Sequence, residues 1–150
     1  MPNSKISSEH GLADAIAACR LKGAQITPLR EAVLEALWFA ERPLGAYELR
    51  DHLSEIADRK LSAPSVYRTL DFLCGQGVAV RIESRNAYIA CKRPHCDHAC
   101  ILFVCNACGL SSEIENKKLE RLLAADAAAL GFSIDHRVLE LSGSCADCRG

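Results

Sequence analysis

Two Cys-x-x-Cys pairs constrain the fold of this chain more than any other feature of its sequence: Cys105 with Cys108, and Cys145 with Cys148. Each pair follows a predicted strand, and a short loop of this kind aims two thiolates at one point. The two loops together would supply the four ligands of a tetrahedral zinc ion. The intervening segment 109–144 contains a predicted strand, helix and strand, so the fold has to bring the pairs together. The sequence therefore predicts a structural zinc site.

Two alternatives stand beside this interpretation of the pairs: separate redox motifs, or unrelated thiols. A redox Cys-x-x-Cys motif opens a helix whose N-terminus lowers the pKa of one thiol. The segment CNACGLSSEIE instead runs from a strand into a turn and a second strand. This local pattern favours metal binding over redox chemistry.

The chain has nine cysteines, and its sequence shows no export signal. An odd count without a signal peptide is unlike a secreted disulfide scaffold, and a reducing compartment leaves thiols free to bind metal. No apolar run approaches the roughly 18 residues that a membrane span needs. We therefore expect a cytoplasmic protein with no membrane partner.

The net charge of -1 gives no argument for a polyanion partner, so nucleic-acid binding has to be argued from the positions of individual cations.

The hydrophobic periodicity divides the chain into two parts. Residues 1–88 are predicted to form short helices followed by a β-hairpin, which is the order of a winged helix-turn-helix DNA-binding domain. Residues 99–150 are predicted to form two strands, a helix and a third strand, a small α/β domain. The segment 89–98 contains Pro94 and has no clear periodicity, which predicts a hinge. The predicted fold class is α+β, with the four-cysteine zinc site in the C-terminal domain.

The fourth predicted helix, in SAPSVYRTLDFLCGQG, has two different sides. Ser62 is its expected N-cap, and apolar residues at helical spacing form a buried stripe. At about 100° per residue, the opposite side presents Ser65 and Arg68, with Tyr67 beside them. The helix thus offers polar and cationic groups to a partner.

A second group of possible metal ligands precedes the first cysteine pair: Cys91, His95, Cys96, His98 and Cys100. Added to the four paired cysteines, these donors are too many for one tetrahedral ion. They predict a second site at the hinge, where a bound ion would fix the angle between the two halves. Three of these donors also have an ordinary interpretation: Cys91 and Cys100 as buried strand residues, and His95 as a solvated side chain.

Five motifs follow one another in a characteristic order. They are ITPLREAVLEAL, the recognition-helix segment SAPSVYRTLDFLCGQG, the hairpin VRIESRNAYIAC, and the segments FVCNACG and LSGSCADC. Together they resemble the ferric uptake regulator (Fur) superfamily, most closely its zinc-responsive branch, the zinc uptake regulators (Zur), over nearly the whole chain. The resemblance implies a homodimer, with residues 99–150 as the dimerisation domain. It implies a repressor, not an enzyme, whose zinc-loaded dimer binds an AT-rich palindromic operator in double-stranded DNA and represses zinc-uptake genes, with no small-molecule substrate.

The resemblance also implies two zinc ions per subunit, one structural and one regulatory. The structural role falls on the four paired cysteines. By motif match, the regulatory site takes Cys91, His98 and Glu113. A thiolate beside an imidazole and a carboxylate favours zinc over Fe(II), for which the iron-sensing branch uses nitrogen and oxygen ligands. The alternatives are an iron-responsive or other metal-responsive regulator of the same superfamily and, more remotely, a thiol redox protein or a metallochaperone.

One family ligand has no counterpart in this chain. Val80 stands where the resemblance places a wing-strand histidine. Cys96 is the first candidate to replace it and His95 the second. Cys100 and His136 are further candidates. The fourth ligand of the regulatory site is therefore open.

DNA contacts are expected from the outward side of the fourth helix. Arg68 is the candidate for a contact to a base edge, most naturally to a purine acceptor, and Tyr67 could meet a thymine methyl group or a phosphate. Ser65 and Thr69 are additional candidates on the same helix. Arg30 is a candidate for a phosphate contact. We expect zinc to favour the dimer shape that sets two such helices into successive major grooves.

Overall fold

The chain folds into two compact units, Met1–His95 and Cys96–Gly150. The computed structural model describes three stretches of the chain: residues 5–92, 100–134 and 138–150, with side chains from residue 11 onward. The division between the units falls inside the predicted hinge 89–98, whose own limits stay a prediction. None of the helices in the described stretches is long and apolar enough to cross a membrane.

The first unit consists of four helices and a three-stranded sheet. The helices are α1 (Lys5–Leu21), α2 (Pro28–Phe39), α3 (Ala46–Ile56) and α4 (Ala63–Gly75), and the strands are β1 (Leu44–Gly45), β2 (Ala79–Ile82) and β3 (Ala87–Ala90). The strands pair antiparallel in the order β1-β3-β2. The winged helix-turn-helix predicted from the sequence is confirmed.

Two of these helices begin where capping chemistry predicts. Thr27 is extended, and its Oγ1 accepts a hydrogen bond from the backbone N–H of Arg30 at 3.3 Å. Ser62 is also extended, and its Oγ accepts a hydrogen bond from the backbone N–H of Ser65 at 3.3 Å. Each cap satisfies an N–H group that has no partner inside its helix. The first residues of α2 and α4 are thereby fixed.

The hairpin of β2 and β3 forms the wing. A short 3-10 helix, Glu83–Arg85, joins the two strands, and Asn86 follows it at a φ of +47°, a left-handed conformation that asparagine tolerates. β1 pairs with the other edge of β3, with Leu44 opposite Tyr88. The sequence did not predict β1, because two residues give no periodicity.

One apolar core holds α1 to α4 and the wing together. Leu34 of α2, Leu49 of α3, Leu70 of α4 and Tyr88 of β3 are at most 1% exposed. Full burial of a side chain of this size contributes roughly 1.5–3 kcal/mol. The orientation of α4 is therefore set by a core that it shares with every other helix of the unit.

The second unit is a three-stranded sheet with one helix. Its elements are β4 (Cys100–Cys105), β5 (Ser111–Ile114), α5 (Lys117–Ala129) and β6 (Val138–Gly143). The strand order is β5-β4-β6, with β5 antiparallel and β6 parallel to β4. These elements confirm the small α/β domain. The predicted third strand also took in residues 135–137, which lie outside the described part of the chain.

The second unit leaves much of its apolar surface uncovered. None of the residues of α5 is buried, although the helix is amphipathic. Seven large apolar side chains of the unit are exposed: Phe103, Leu110, Ile114, Leu122, Leu130, Phe132 and Leu141. These side chains are candidates for a surface that a partner covers.

Candidate metal centre and nucleic-acid interface

The two Cys-x-x-Cys pairs converge at one end of the second sheet. The Sγ atoms of Cys105, Cys108, Cys145 and Cys148 all lie within 4.8 Å of one another. Cys105 is buried, whereas Cys108 and Cys148 are exposed, so the cluster lies at the surface of the unit. Within the described stretches, these are the only histidine, cysteine or acidic side chains that form a group able to hold a metal ion.

The parallel pairing of β4 and β6 brings the two pairs together. Cys105, the last residue of β4, lies opposite Gly143, the last residue of β6, so the two loops leave the sheet side by side. The backbone N–H of Asn106 donates to the carbonyl oxygen of Gly143 at 2.8 Å. The backbone N–H of Cys145 donates to Sγ of Cys105 at 3.4 Å. Parallel strands need a long crossover connection, which explains how distant cysteines share one site.

Tight turns orient the thiols within each pair. Gly109 has a φ of +80°, and its N–H donates to the carbonyl oxygen of Cys105 at 3.0 Å. A side chain would strain the backbone at that φ. In the second loop, the N–H groups of Cys148 and Arg149 donate to the carbonyl oxygen of Cys145 at 3.1 and 3.0 Å. Both loops therefore reverse direction within a few residues and turn two sulfur atoms the same way.

The thiols of the cluster differ in acidity. Hydrogen bonds from the backbone N–H groups of Cys108 and Cys145 lower the pKa of the Cys105 thiol to about 6. Hydrogen bonding with the thiols of Cys145, Cys108 and Cys105 raises the pKa of the Cys148 thiol to about 12. Neighbouring sulfur atoms disfavour a second negative charge at this distance. A bound cation would offset the repulsion between Cys105 and Cys148 and favour the thiolate form of Cys148.

This donor set fits a zinc ion. Four sulfur ligands in tetrahedral arrangement are typical of structural zinc sites, whereas magnesium and calcium prefer oxygen. Four protein ligands also leave no open position for a substrate. The cluster is therefore suited to hold the fold together, and its four residues are those predicted from the sequence.

The second predicted site falls largely outside the described residues. Four of its candidate ligands lie there: His95, Cys96, His98 and His136. Cys91 belongs to the first unit and Glu113, on β5, to the second. Cys100 is buried on β4, at 6% exposure. The regulatory ligand set stays a prediction.

Cys91 continues the wing by one residue. Its backbone N–H donates to the carbonyl oxygen of Val78 at 2.9 Å, and its side chain is 6% exposed. Val80 pairs with Ile89 across the hairpin and is 5% exposed. Because a valine has no donor atom, the family's histidine position contributes only apolar packing here. Cys91, directly after β3, is the predicted regulatory ligand that the described wing carries.

The outward side of α4 carries three of the predicted DNA-contacting residues. Arg68 is exposed. Ser65 is half-buried, and its Oγ lies 2.7 Å from Oγ of Ser62. The ring of Tyr67 meets the ring of Tyr47 edge to face, with centroids 6.2 Å apart and planes at 84°. Tyr47 is 57% exposed on α3. The sequence did not single out Tyr47, although its outward position on a predicted amphipathic helix was a usable signal.

Thr69 and Arg30 are engaged within the first unit. Thr69 is 6% exposed, and its hydroxyl donates to the carbonyl oxygen of Ser65 at 2.9 Å, so it offers little surface to DNA in this conformation. The guanidinium of Arg30 lies 3.5 Å from the ring centroid of Phe72 and donates to the carbonyl oxygen of Gln25. The contact with Phe72 joins α2 to α4. Arg30 would have to give up these contacts to reach a DNA phosphate.

Comparison with known families agrees with this arrangement. The model of the Ferric uptake regulator family matches residues 21–142, a span that includes α4, the wing and the first cysteine pair. The chain belongs to the ferric uptake regulator family. The resemblance inferred from the sequence is thus confirmed.

Relatives within the family include zinc regulators. The chain is 35% identical over 147 residues to the zinc uptake regulation protein of Escherichia coli (strain K12), covering 96% of this chain and 84% of that protein. A zinc uptake regulator solved in complex with zinc and DNA superposes with a TM-score of 0.84 at 34% identity, covering 95% of both chains. The crystal structure of holo XcZur gives a TM-score of 0.80 at 36% identity, covering 95% of this chain and 98% of that one.

Replacement of a clustered cysteine should remove one tightly bound zinc ion. Loss of a residue that merely orients a ligand already lowers metal affinity by about 10- to 100-fold, so Cys145→Ser should lower it by more than about 100-fold. Metal analysis after dialysis against a chelator measures the loss. Cys74→Ser is the matched control, because Cys74 is a half-buried cysteine of α4 in the other unit. Equal zinc content in both variants would show that the four cysteines do not hold the ion.

Proposed function

We propose that this chain is a zinc-responsive transcriptional repressor, whose zinc-loaded homodimer binds an operator in double-stranded DNA and represses zinc-uptake genes. The observation that carries the proposal is its similarity, over nearly the full length, to zinc uptake regulators, one of them solved with zinc and DNA. The sulfur-only cluster supports zinc as the structural metal. The proposal includes two zinc ions per subunit, an AT-rich palindromic operator, action in the cytoplasm and no catalytic activity.

We place DNA recognition on the outward side of α4. Arg68 is exposed on the side of the helix that turns away from the core. Its planar guanidinium can bind two acceptors of a purine in the major groove. Tyr67 is supported from the side by Tyr47, so its ring is held in place before DNA binds. Because the acidic and basic residues of the chain nearly balance, specificity would depend on these few contacts more than on general attraction to phosphates.

The regulatory site is proposed to draw on Cys91, His98, Glu113 and a fourth donor, with Cys96 preferred over His95. A zinc ion bound there would supply a cation that a thiolate, an imidazole and a carboxylate can share. Cys91 lies in the first unit and Glu113 in the second. Coordination by both would favour one arrangement of the units over others and so couple zinc to DNA binding.

Dimerisation is proposed to occur through the second unit. That unit exposes Phe103 at the centre of its sheet and Leu122 on α5, while α5 buries none of its residues. A second copy that covers this surface would turn an uncovered amphipathic helix into part of a shared core. The dimer then presents two α4 helices to a palindromic site.

An iron-responsive role is the second possibility within the family. The buried thiol of Cys91 beside the proposed imidazole and carboxylate favours zinc over Fe(II). A thiol oxidoreductase is disfavoured by the position of Cys105, which ends a strand instead of opening a helix.

Substitution of Arg68 tests the DNA interface. Arg68→Ala should lose about 1–3 kcal/mol of operator binding in each subunit, with dimer state and zinc content unchanged. The measurement is zinc-dependent binding to an operator selected from random DNA with the wild-type protein. Arg20→Ala, which removes an exposed arginine at the end of α1, is the control. Wild-type affinity in Arg68→Ala would contradict the assignment of α4 as the recognition helix.

Substitution of Cys91 tests the regulatory site. Cys91→Ser should leave a folded dimer that holds one zinc ion fewer per subunit and binds the operator poorly even at high zinc, because a serine hydroxyl is a much weaker zinc ligand. Cys105→Ser should instead lose dimer stability and fold integrity. Zinc stoichiometry, light scattering and thermal unfolding separate the two outcomes. If both variants unfold alike, the division into structural and regulatory sites is wrong.

Substitution of Phe103 tests the dimer surface. Wild-type protein should have twice the 16.3 kDa mass of one chain, whereas Phe103→Asp should dissociate, because a charge would be buried without a partner. Phe39→Asp is the matched control, since Phe39 is 48% exposed in the first unit and Phe103 is 47% exposed in the second. Light scattering across a dilution series measures both. A dimer that survives Phe103→Asp but not Phe39→Asp would move the interface to the other unit.

A further inference from the structure

Lys92, the residue after Cys91, is attached to the C-terminal end of α2. Its Nζ donates a hydrogen bond to the carbonyl oxygen of Trp38, and the same ammonium lies 4.6 Å from the centroid of the indole ring. The last carbonyl groups of a helix have no partner within the helix, and cations are favoured beside them. Lys92 thus combines a charge-assisted hydrogen bond with a cation–π contact on a single residue.

Trp38 is itself held in a fixed position. It is 3% exposed in the shared core. On α1, a Cβ atom at Gly11 would lie 2.9 Å from Cζ2 of the indole, so α1 packs against the ring at a distance that only glycine permits. The ammonium of Lys92 is therefore attached to a part of the first unit that has little freedom to move.

Cys91 is restrained on both sides as a result. Its own N–H is bonded to the carbonyl oxygen of Val78 on the wing, and the next side chain along the chain is bonded to α2. Lys92 lies inside the predicted hinge 89–98, three residues before His95, the first of the other candidate ligands.

We infer that Lys92 is a positioning residue for the proposed zinc ligand Cys91: by bonding to Trp38 it holds the exit of the wing in a geometry ready to bind the ion. This inference rests on the proposed function. A ligand held in place before the metal arrives loses less conformational freedom on binding, so affinity rises without any new contact to the ion. Lys92 would act on the regulatory site and leave the four-cysteine cluster unaffected.

The contact is tested by the fluorescence of Trp38, the only tryptophan in the chain. Lys92→Met keeps most of the aliphatic stem and removes the charge, so it should alter the tryptophan emission of the folded protein. Lys92→Arg keeps a cation over the ring and should restore most of the wild-type signal. Lys22→Met is the matched control, because Lys22 is an exposed lysine just after α1. Emission from Lys92→Met identical to wild type would overturn the contact.

The functional consequence is tested by competition between protein and a chromophoric zinc chelator, with no DNA present. For Lys92→Met, the affinity for the second zinc equivalent should fall about tenfold, while the first, tightly held equivalent is retained and the far-ultraviolet circular dichroism is unchanged. Lys92→Arg should recover most of the affinity, and Lys22→Met should match wild type. Unchanged affinity in Lys92→Met would overturn the positioning role.

The same titration separates this inference from the proposed function. A wild-type chain that binds only one zinc equivalent contradicts the regulatory site itself, and with it any positioning role for Lys92. A wild-type chain that binds two equivalents, the second unaffected by Lys92→Met, contradicts the inference alone.

Discussion

The parallel pairing of β4 with β6 is the constraint on which the second unit depends. It sets Cys105 opposite Gly143 and so brings two loops that are distant in sequence within reach of one ion. The same pairing requires a crossover connection, which here contains α5. That helix buries none of its residues. The convergence of the four sulfur atoms at one end of the sheet and the presence of a crossover that contains α5 are therefore two consequences of one strand arrangement.

The two units are stabilised in different ways. The first has a core to which all four helices and the wing contribute. In the second, the buried apolar side chains of the described residues come from β4 alone: Cys100, Ile101, Leu102, Val104 and Cys105. A unit of this size seldom folds on so small a core without a metal ion or a second chain. The proposed structural zinc ion and the proposed dimer would both compensate for the small apolar core of the second unit. Cys91, the proposed regulatory ligand, instead lies in a unit that already has its core.

The sequence predicted those features that local chemistry determines. Ser62 caps α4 as predicted, because its side-chain oxygen satisfies an N–H group that has no partner inside the helix; Thr27 caps α2 for the same reason. Features that depend on distant partners were not predictable. β1 exists only through its pairing with β3, where Leu44 lies opposite Tyr88. Thr69 is a different case: its hydroxyl donates to the Ser65 carbonyl oxygen one turn earlier, which allows a polar side chain to be buried on the core side of α4. The spacing of the paired cysteines was informative because the short loop within each pair brings two thiols close enough to bind one ion. Spacing could not decide the fourth regulatory ligand, since it says nothing about distances between units.

Val80 changes what the wing can contribute to sensing. A buried histidine at this position would need a hydrogen-bond partner whenever zinc is absent, and an unsatisfied polar group there would weaken the wing. Valine instead keeps β2 apolar at its inward positions, where Val80 and Ile82 are at most 5% exposed. Under the proposed function, loss of the regulatory ion would release Cys91 from the metal but leave the packing of β2, β3 and α4 intact. The recognition surface would then keep its shape in both states. Under the proposed function, zinc must act on how the two recognition surfaces of the dimer are held, and not on the structure of either one.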